Sequence, residues 1–271
     1  MPLRLSIRYK VLLLVLAVVL AALATYLTLA ITLFNRDKLA YVYDLNATLA
    51  HTLGEEIQSS VRSLADRLLF FAAARPQAAP AARRKGAAAR PRAATHADLL
   101  FHADPDVLSV EIWAPQRGGS YSRVYQWIDA DRLAKVGIAG DDLLQARRSA
   151  PVPWAAAVAA GLHLQNASLP PDLALITLVA AVPGSRDVVV ADIRPDRFLR
   201  IFGTSGIYKA YPVDSRGTVL AHPEPSRVLN RATMTDTGVV KDALEGKAKH
   251  GVLAFASPAG EDFIGAFSTV E

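Results

Sequence analysis

One strand-like segment of this sequence interleaves an arginine with aromatic residues. Strict alternation along Tyr121 to Ile128 places four side chains on one face of a strand: Tyr121, Arg123, Tyr125 and Trp127. Aromatic rings supply flat contact area, and a guanidinium can hold a carboxylate through two parallel hydrogen bonds. Together with Trp113 on the preceding strand, these residues predict a binding site for a small anionic or zwitterionic molecule.

A purely structural role would explain the same residues. Arg123 would then pair with Glu111 across a β-hairpin, and the rings would be ordinary half-buried strand side chains. The sequence leaves both interpretations open.

Residues for covalent or metal chemistry do not occur in recognisable patterns. The chain has no cysteine, which excludes thiol catalysis and cysteine-based metal sites. Of its six histidines, His96 and His102 are too far apart in sequence for two ligands on one helical face, which need a spacing of three or four. The segment 203–206 is one residue short of the G-x-S-x-G nucleophile turn. We therefore predict no catalytic residue, metal ion, cofactor or enzyme activity for this chain.

The N-terminal region predicts a membrane anchor. Val11 to Leu33 contains no charged residue, and as a helix it would be about 35 Å long, enough to cross a hydrocarbon core of about 30 Å. Arg4, Arg8 and Lys10 precede it, so we expect the N-terminus in the cytoplasm and residues 35–271 outside the inner (plasma) membrane. A signal peptide cleaved after 22–24 is the alternative, and it would export the same residues.

A long amphipathic helix is predicted to follow the anchor. Apolar residues recur there at steps of three or four, at Leu39, Val42, Leu45, Leu49, Leu53, Ile57, Val61, Leu64, Leu68 and Phe71. The stripe predicts a stalk helix that packs on its own domain, pairs with a second copy to form a homodimer, or does both.

The charge distribution argues against a nucleic-acid partner. The formal net charge of +5 arises from basic residues concentrated between Arg67 and Arg92, where no acidic residue occurs. This stretch overlaps an Ala/Arg/Pro-rich segment, 72–95, that is interpreted as a solvated loop, with contact to an anionic envelope surface as the alternative. The remainder has no basic surface spread over a domain, so nucleic acid is excluded as a partner.

Beyond residue 106 the hydrophobic pattern predicts two β-rich units and an α+β fold with antiparallel sheets. Strands of the larger unit are predicted at Val107–Trp113, Tyr121–Ile128, Leu162–Ala167, Leu173–Val182 and Asp187–Ile193. Strands of the smaller unit are predicted at Ile207–Val213, Thr218–Ala221, Gly251–Ala256 and Asp262–Thr269. Helices are predicted at Pro153–Leu162, Arg194–Phe202 and Thr237–Glu245.

Three segments resemble the double Cache sensor domains of bacterial transmembrane receptors, which consist of two PAS-like units. Val188 to Leu199 resembles the strand-to-helix link between the two units. Tyr211 to Pro223 resembles the family's D-x-x-G-x-x-x-x-H-P hairpin, and Phe263 to Val270 resembles its final strand. The order and spacing of the three segments carry the resemblance over nearly all of residues 35–271.

The resemblance implies an organisation for the whole chain. Residues 1–10 would be a cytoplasmic N-terminus, 11–34 a transmembrane helix, 35–75 a stalk helix, 76–203 a membrane-distal PAS-like unit and 204–271 a smaller membrane-proximal unit. In family members that bind small carboxylates or amino acids, the ligand lies on the sheet face of the distal unit. Asp129 and Asp192 would then serve an ammonium group.

The resemblance also implies a function. The chain would be the extracytoplasmic sensing region of a transmembrane receptor, which binds a small molecule and passes a conformational signal through the bilayer. The output would lie beyond this sequence, through a HAMP-type linker, in a domain such as a class III adenylate or guanylate cyclase or a histidine kinase. A membrane-anchored adaptor module and an exported enzyme are the alternative functions.

Overall fold

The computed structural model describes residues 7–73, 96–135, 137–202, 209–256 and 260–270. One continuous helix, α1 (Ile7–Ala73), contains both the predicted anchor and the predicted stalk. Its N-terminal part has a mean hydropathy of 2.7 and exposes large apolar side chains such as Leu12, Leu23 and Phe34, so it is long and apolar enough to cross a membrane. Most of the predicted loop, residues 74–95, lies outside the described ranges.

A five-stranded antiparallel sheet forms the body of the fold, which is α+β as predicted. Its strands are β1 (Val107–Pro115), β2 (Tyr121–Ile128), β3 (Leu162–Asn166), β4 (Ile176–Ala181) and β5 (Val188–Ile193). They lie in the order β2-β1-β5-β4-β3. Each strand is found where the alternating pattern placed it, within a few residues of the predicted bounds.

One face of this sheet packs on α1. Ile57, Val61, Leu64, Leu68 and Phe71 are buried there, against apolar side chains of β1, β4 and β5. Two further helices border this side, α2 (His96–Ala103) and α6 (Asp196–Phe202). From position 57 onward the apolar stripe therefore lies inside the chain's own core. The homodimer stays a prediction for the part of the stripe that is still exposed, at Leu39.

The opposite face of the sheet is covered by α3 (Ala130–Lys135), α4 (Gly140–Ser149) and α5 (Trp154–Ala160). The hydrophobic pattern predicted α5 but neither α3 nor α4. Asp141 and Asp142 lie in the first turn of α4, and Arg147 and Arg148 lie in its last turn, an arrangement that complements the helix dipole. Leu143 of α4 is buried against the sheet.

The C-terminal region (residues 209–270) contains α7 (Pro225–Leu229), α8 (Gly238–Leu244) and a hairpin of β6 (His250–Ala256) and β7 (Asp262–Ser268). This hairpin packs on α1, where a Cβ atom on Gly54 would lie 2.6 Å from Oγ of Ser268. The hairpin was predicted, although part of its turn, 257–259, lies outside the described residues.

The two other strands predicted for this region are wrong. Within residues 209–221 the structure has isolated bridges, such as Val213 to Val219, instead of strands, and 207–208 lie outside the described residues. The carboxylate of Asp214 accepts hydrogen bonds from the backbone N–H groups of Arg216 and Thr218, both at 2.9 Å. A side chain that satisfies these donors locally competes with a strand ladder.

Candidate ligand-binding site

A β-bulge divides the predicted aromatic face of β2. Ile112 pairs with Tyr125, but the next residue, Trp113, pairs with Arg123, which leaves Val124 as the extra residue. Paired residues of neighbouring strands point to the same face of a sheet. Arg123 therefore points away from α1 with Trp113, whereas Tyr125 points toward α1 with Ile112.

Tyr125 and Trp127 belong to the core on the α1 side. Their rings stack with centroids 5.5 Å apart, and Phe71 of α1 meets Trp127 edge-on at 4.7 Å. The prediction that these two rings share a face with Tyr121 and Arg123 is wrong, because one inserted residue reverses the alternation. They anchor the stalk helix to the sheet.

Tyr121 and Trp113 lie on the other face and meet an aromatic residue of α5. Trp154 stacks on Tyr121 with centroids 4.9 Å apart and lies 5.0 Å from Trp113. This three-ring wall borders a group of four charged side chains, of which all but Arg123 are largely buried.

The first charged group is the carboxylate of Glu111, which is almost completely buried. It accepts hydrogen bonds from Nε1 of Trp113 at 2.8 Å, from Nη1 of Arg123 at 3.0 Å and from Nε2 of Gln126 at 3.2 Å. The pairing of Arg123 with Glu111 is the arrangement expected from a structural role of this arginine. It also places both residues next to the aromatic wall.

The second carboxylate, Asp192, lies near the end of β5, the central strand of the sheet. It accepts hydrogen bonds from the hydroxyls of Ser109 at 2.7 Å and Thr177 at 2.8 Å. Nη2 of Arg147 donates to both of its oxygens, at 3.0 and 2.9 Å. The predicted site residue Asp192 is therefore held by a guanidinium that the sequence pattern did not single out.

Arg147 joins the two carboxylates into one group, because its Nη2 also lies 3.6 Å from Oε2 of Glu111. The exposed fractions of the side chains are 15% for Arg147, 6% for Glu111 and 5% for Asp192. We call Glu111, Arg123, Arg147 and Asp192 the charge cluster. Its two guanidinium and two carboxylate groups balance in formal charge.

Asp129, the remaining predicted site residue, does not belong to the charge cluster. Its carboxylate accepts a hydrogen bond from the backbone N–H of Arg132 at 2.9 Å and pairs with Nε of the same arginine at 3.2 Å. Arg132 in turn donates to three backbone carbonyls, those of Phe101, Asp104 and Val107. Asp129 thus begins α3 and positions Arg132.

A histidine lies in the same row of the sheet as Glu111. The register runs from Glu111 through Val190 and Val179 to His163 of β3. Burial lowers the pKa of His163, so its imidazole is neutral at neutral pH. It adds no positive charge to this face.

A second polar group ties α1 to α6 on the other face. Asp104, also almost completely buried, pairs with Arg197 of α6 at 2.8 Å and with Arg67 of α1 at 3.2 Å. Nε of Arg197 donates to Oγ of Ser60 at 2.6 Å. A cavity of about 400 Å³ opens beside these residues. Because α6 follows directly on β5, this group connects the strand that carries Asp192 to the stalk helix.

The charge cluster offers both kinds of group that a small zwitterion needs. Carboxylates hold an ammonium group and guanidinium groups hold a carboxylate, and the aromatic wall gives apolar contact. The sequence reasoning missed Glu111 as a site residue, Arg147, and the hydroxyls of Ser109 and Thr177. The acidic start and basic end of α4 were the signal that could have revealed the helix carrying Arg147.

The chain is similar to the ligand-binding domain of the Campylobacter jejuni chemoreceptor Tlp3 in complex with L-valine, with a TM-score of 0.45 and 13% identity over 83% of this chain and 87% of that one. It is also similar to the extracellular domains of soHK1S-Z6 (TM-score 0.43, 13% identity, 85% and 89% covered) and mmHK1S-Z2 (TM-score 0.41, 11% identity, 83% and 89% covered), both assigned as histidine kinases. No family model and no curated protein matches the chain.

Proposed function

We propose that this chain is the ligand-sensing region of a transmembrane signalling receptor and that the charge cluster is its ligand site. The observation that carries the proposal is the position of the cluster. It lies on one face of the sheet, and the other face packs on α1. The N-terminal part of this helix is long and apolar enough to cross a membrane. A change at the cluster therefore reaches the membrane helix through one layer of strands.

The ligand we propose is a small zwitterion, such as a free amino acid. The cluster is already neutral, and a zwitterion keeps it neutral, whereas a simple anion or cation would leave a buried net charge. To bind, the ligand's ammonium group replaces the guanidinium of Arg147 at Asp192, and its carboxylate takes that guanidinium as a new partner. Each charge in the site thus exchanges one partner for another.

Binding rather than catalysis is proposed because each carboxylate of the cluster is already engaged in an ion pair with a guanidinium. Within the described residues, no group of three or more histidine, aspartate or glutamate side chains could hold a metal ion.

The proposed topology predicts a measurable orientation. Three basic residues precede the apolar segment, so the C-terminal end of the chain should lie outside the cytoplasm. Alkaline phosphatase fused after Glu271 should be active in a bacterial host, and the same reporter fused after Lys10 should be inactive. An inactive C-terminal fusion, made in full and inserted in the membrane, would contradict the orientation.

Ligand binding is tested by thermal unfolding of the full chain in detergent micelles. In a panel of amino acids and small carboxylates, at least one zwitterion should raise the Tm by mass action. Arg147→Lys keeps the charge but loses the planar fork, so affinity should fall by a factor of about thirty or more, which corresponds to about 2 kcal/mol or more for a desolvated charge contact.

The matched control is Arg194→Lys, at an exposed arginine paired with Asp196. It should leave the ligand-induced shift unchanged. If the ligand-induced rise in Tm survives in both Arg147→Lys and Asp192→Asn, the ligand binds elsewhere. If simple anions raise the Tm but zwitterions do not, the proposed ligand class is wrong.

A further inference from the structure

An arginine of the C-terminal region clamps that region to the body of the fold. Arg231 donates to the carbonyl of Ser168 through Nε at 2.9 Å and Nη2 at 2.6 Å. It also donates to the carbonyl and the hydroxyl of Ser149, at 2.9 and 2.6 Å. One guanidinium therefore bridges the end of α4 and the loop that follows β3.

The backbone of Arg231 is held in an unusual conformation. Its φ of 49° lies in the left-handed region, and among the described residues no other non-glycine residue has a positive φ. Such a conformation persists only where the surroundings fix it. Here the guanidinium contacts and a backbone hydrogen bond from Arg231 to Val228 fix it.

A second connection lies beside the first and is fully buried. The amide of Asn166, at the end of β3, donates to the carbonyls of Val219 at 2.6 Å and Val228 at 2.8 Å, and its oxygen accepts from the backbone N–H of Ser168 at 2.8 Å. The Asn166 side chain is 2% exposed, and both its amide nitrogen and its oxygen make hydrogen bonds. The connection through Asn166 is therefore stiffer than the one through Arg231.

The hydrogen bonds of Arg231 to Ser149 end on the same helical turn that carries Arg147 of the charge cluster. Arg147 and Ser149 lie two residues apart in the last turn of α4. That turn is closed by hydrogen bonds to the carbonyl of Ala146, from the Ser149 hydroxyl at 3.0 Å and from the Ala150 N–H at 2.9 Å. Arg147 therefore cannot be withdrawn from Asp192 by a shift of this backbone turn without moving the two acceptors of Arg231 at Ser149.

We propose that Arg231 couples the occupancy of the charge cluster to the C-terminal region. When Arg147 leaves Asp192, the last turn of α4 moves, Arg231 follows its acceptors at Ser149, and the C-terminal region pivots about Asn166. Since this region packs on α1 through the β6–β7 hairpin, the movement reaches the stalk near Gly54. The coupling rests on the proposed function in that the cluster is the site where a ligand acts.

The test needs no ligand, because a substitution releases Arg147 directly. Amide hydrogen exchange is measured on the full chain in detergent micelles for the wild type, Arg147→Met, Arg231→Met and the double variant. Arg147→Met should raise exchange in α4 and in residues 228–237 roughly threefold or more beyond any rise in β5, which reports the global loss of stability. Arg231→Met should raise exchange in 228–237, and the double variant should add nothing further there.

The matched control is Arg227→Met, which removes the same charge from the same region but breaks a pair with Glu224 inside it. It should leave the response of residues 228–237 to Arg147→Met intact. Should Arg147→Met unprotect β5 as well, Arg147→Lys replaces it as the milder perturbation, with the same expectations.

Two results would overturn the coupling. One is exchange that rises in α4 but not in residues 228–237 when Arg147 is replaced. The other is a response in 228–237 that persists undiminished without the Arg231 side chain. A failed ligand screen would leave both readouts unchanged, so failure of the coupling and failure of the proposed ligand site are distinguishable.

Discussion

Replacing Asp192 by alanine is expected to lower the free energy of unfolding by about 3–5 kcal/mol, the range for breaking a buried ion pair. The substitution leaves the buried guanidinium of Arg147 with one remaining carboxylate partner, that of Glu111 at 3.6 Å. It also removes the acceptor of the Ser109 and Thr177 hydroxyls. Thermal or denaturant unfolding of the full chain in detergent measures the loss.

The control for this prediction is Asp196→Ala, which breaks a pair with Arg194 in which both side chains are more than a third exposed. Exposed pairs contribute about 0–1 kcal/mol, so this variant should unfold nearly like the wild type. The double variant Asp192→Ala/Arg147→Ala should be less destabilised than the sum of the two single variants, since neither charge is then left without its partner. Equal losses for Asp192→Ala and Asp196→Ala would show that the cluster does not hold the sheet together.

The strands and the stalk were predictable because their signals are local. A stripe with a period of three to four residues defines α1, and alternation between turn residues defines β1 to β5. The stripe could not show whether Leu68 packs within the chain or against a second copy, since both partners accept the same apolar face. That choice depends on contacts with strands more than 100 residues away in sequence, such as Leu178.

The faces of the hairpin were not predictable from alternation. The bulge opposite Ile112 and Trp113 lies in a run without glycine, so no residue type marks it. One extra residue, Val124, is enough to move Tyr125 and Trp127 into the core beside α1. The pairing of Arg123 with Glu111 was foreseen as an alternative because it is a contact between adjacent strands.

The centre of the charge cluster was only half predictable. Asp192 was named through the family resemblance, as a partner for an ammonium group, and it lies in a strand that is buried throughout. Its partner Arg147 comes from a helix, α4, 45 residues earlier in the sequence. No short-range pattern connects the two residues. The helix α4 was not predicted because its apolar face consists of few residues between many charged ones.

The largest effect expected on the stalk is that of Leu68→Ala. Leu68 is completely buried between α1 and the sheet, and a large-to-small change there removes apolar contacts and leaves a cavity. We expect a loss of about 2–5 kcal/mol in the free energy of unfolding, which corresponds to a drop in Tm of the order of 10 °C. Phe70→Ala, at a neighbouring residue that is 74% exposed, is the control and should change the Tm by little.

The dependence on protein concentration separates packing within the chain from packing between two copies. If Leu68 packs within the chain, the loss on Leu68→Ala is the same over a hundredfold range of concentration, whereas a dimer seam would make it concentration-dependent. Single cysteines give a second readout, because the chain has none of its own. A cysteine at Leu39, which is 52% exposed, should crosslink two copies if the predicted homodimer forms, while one at Leu68 should not. Efficient crosslinking at Leu68, together with a concentration-dependent Tm, would mean that the stripe joins two chains instead of packing on its own sheet.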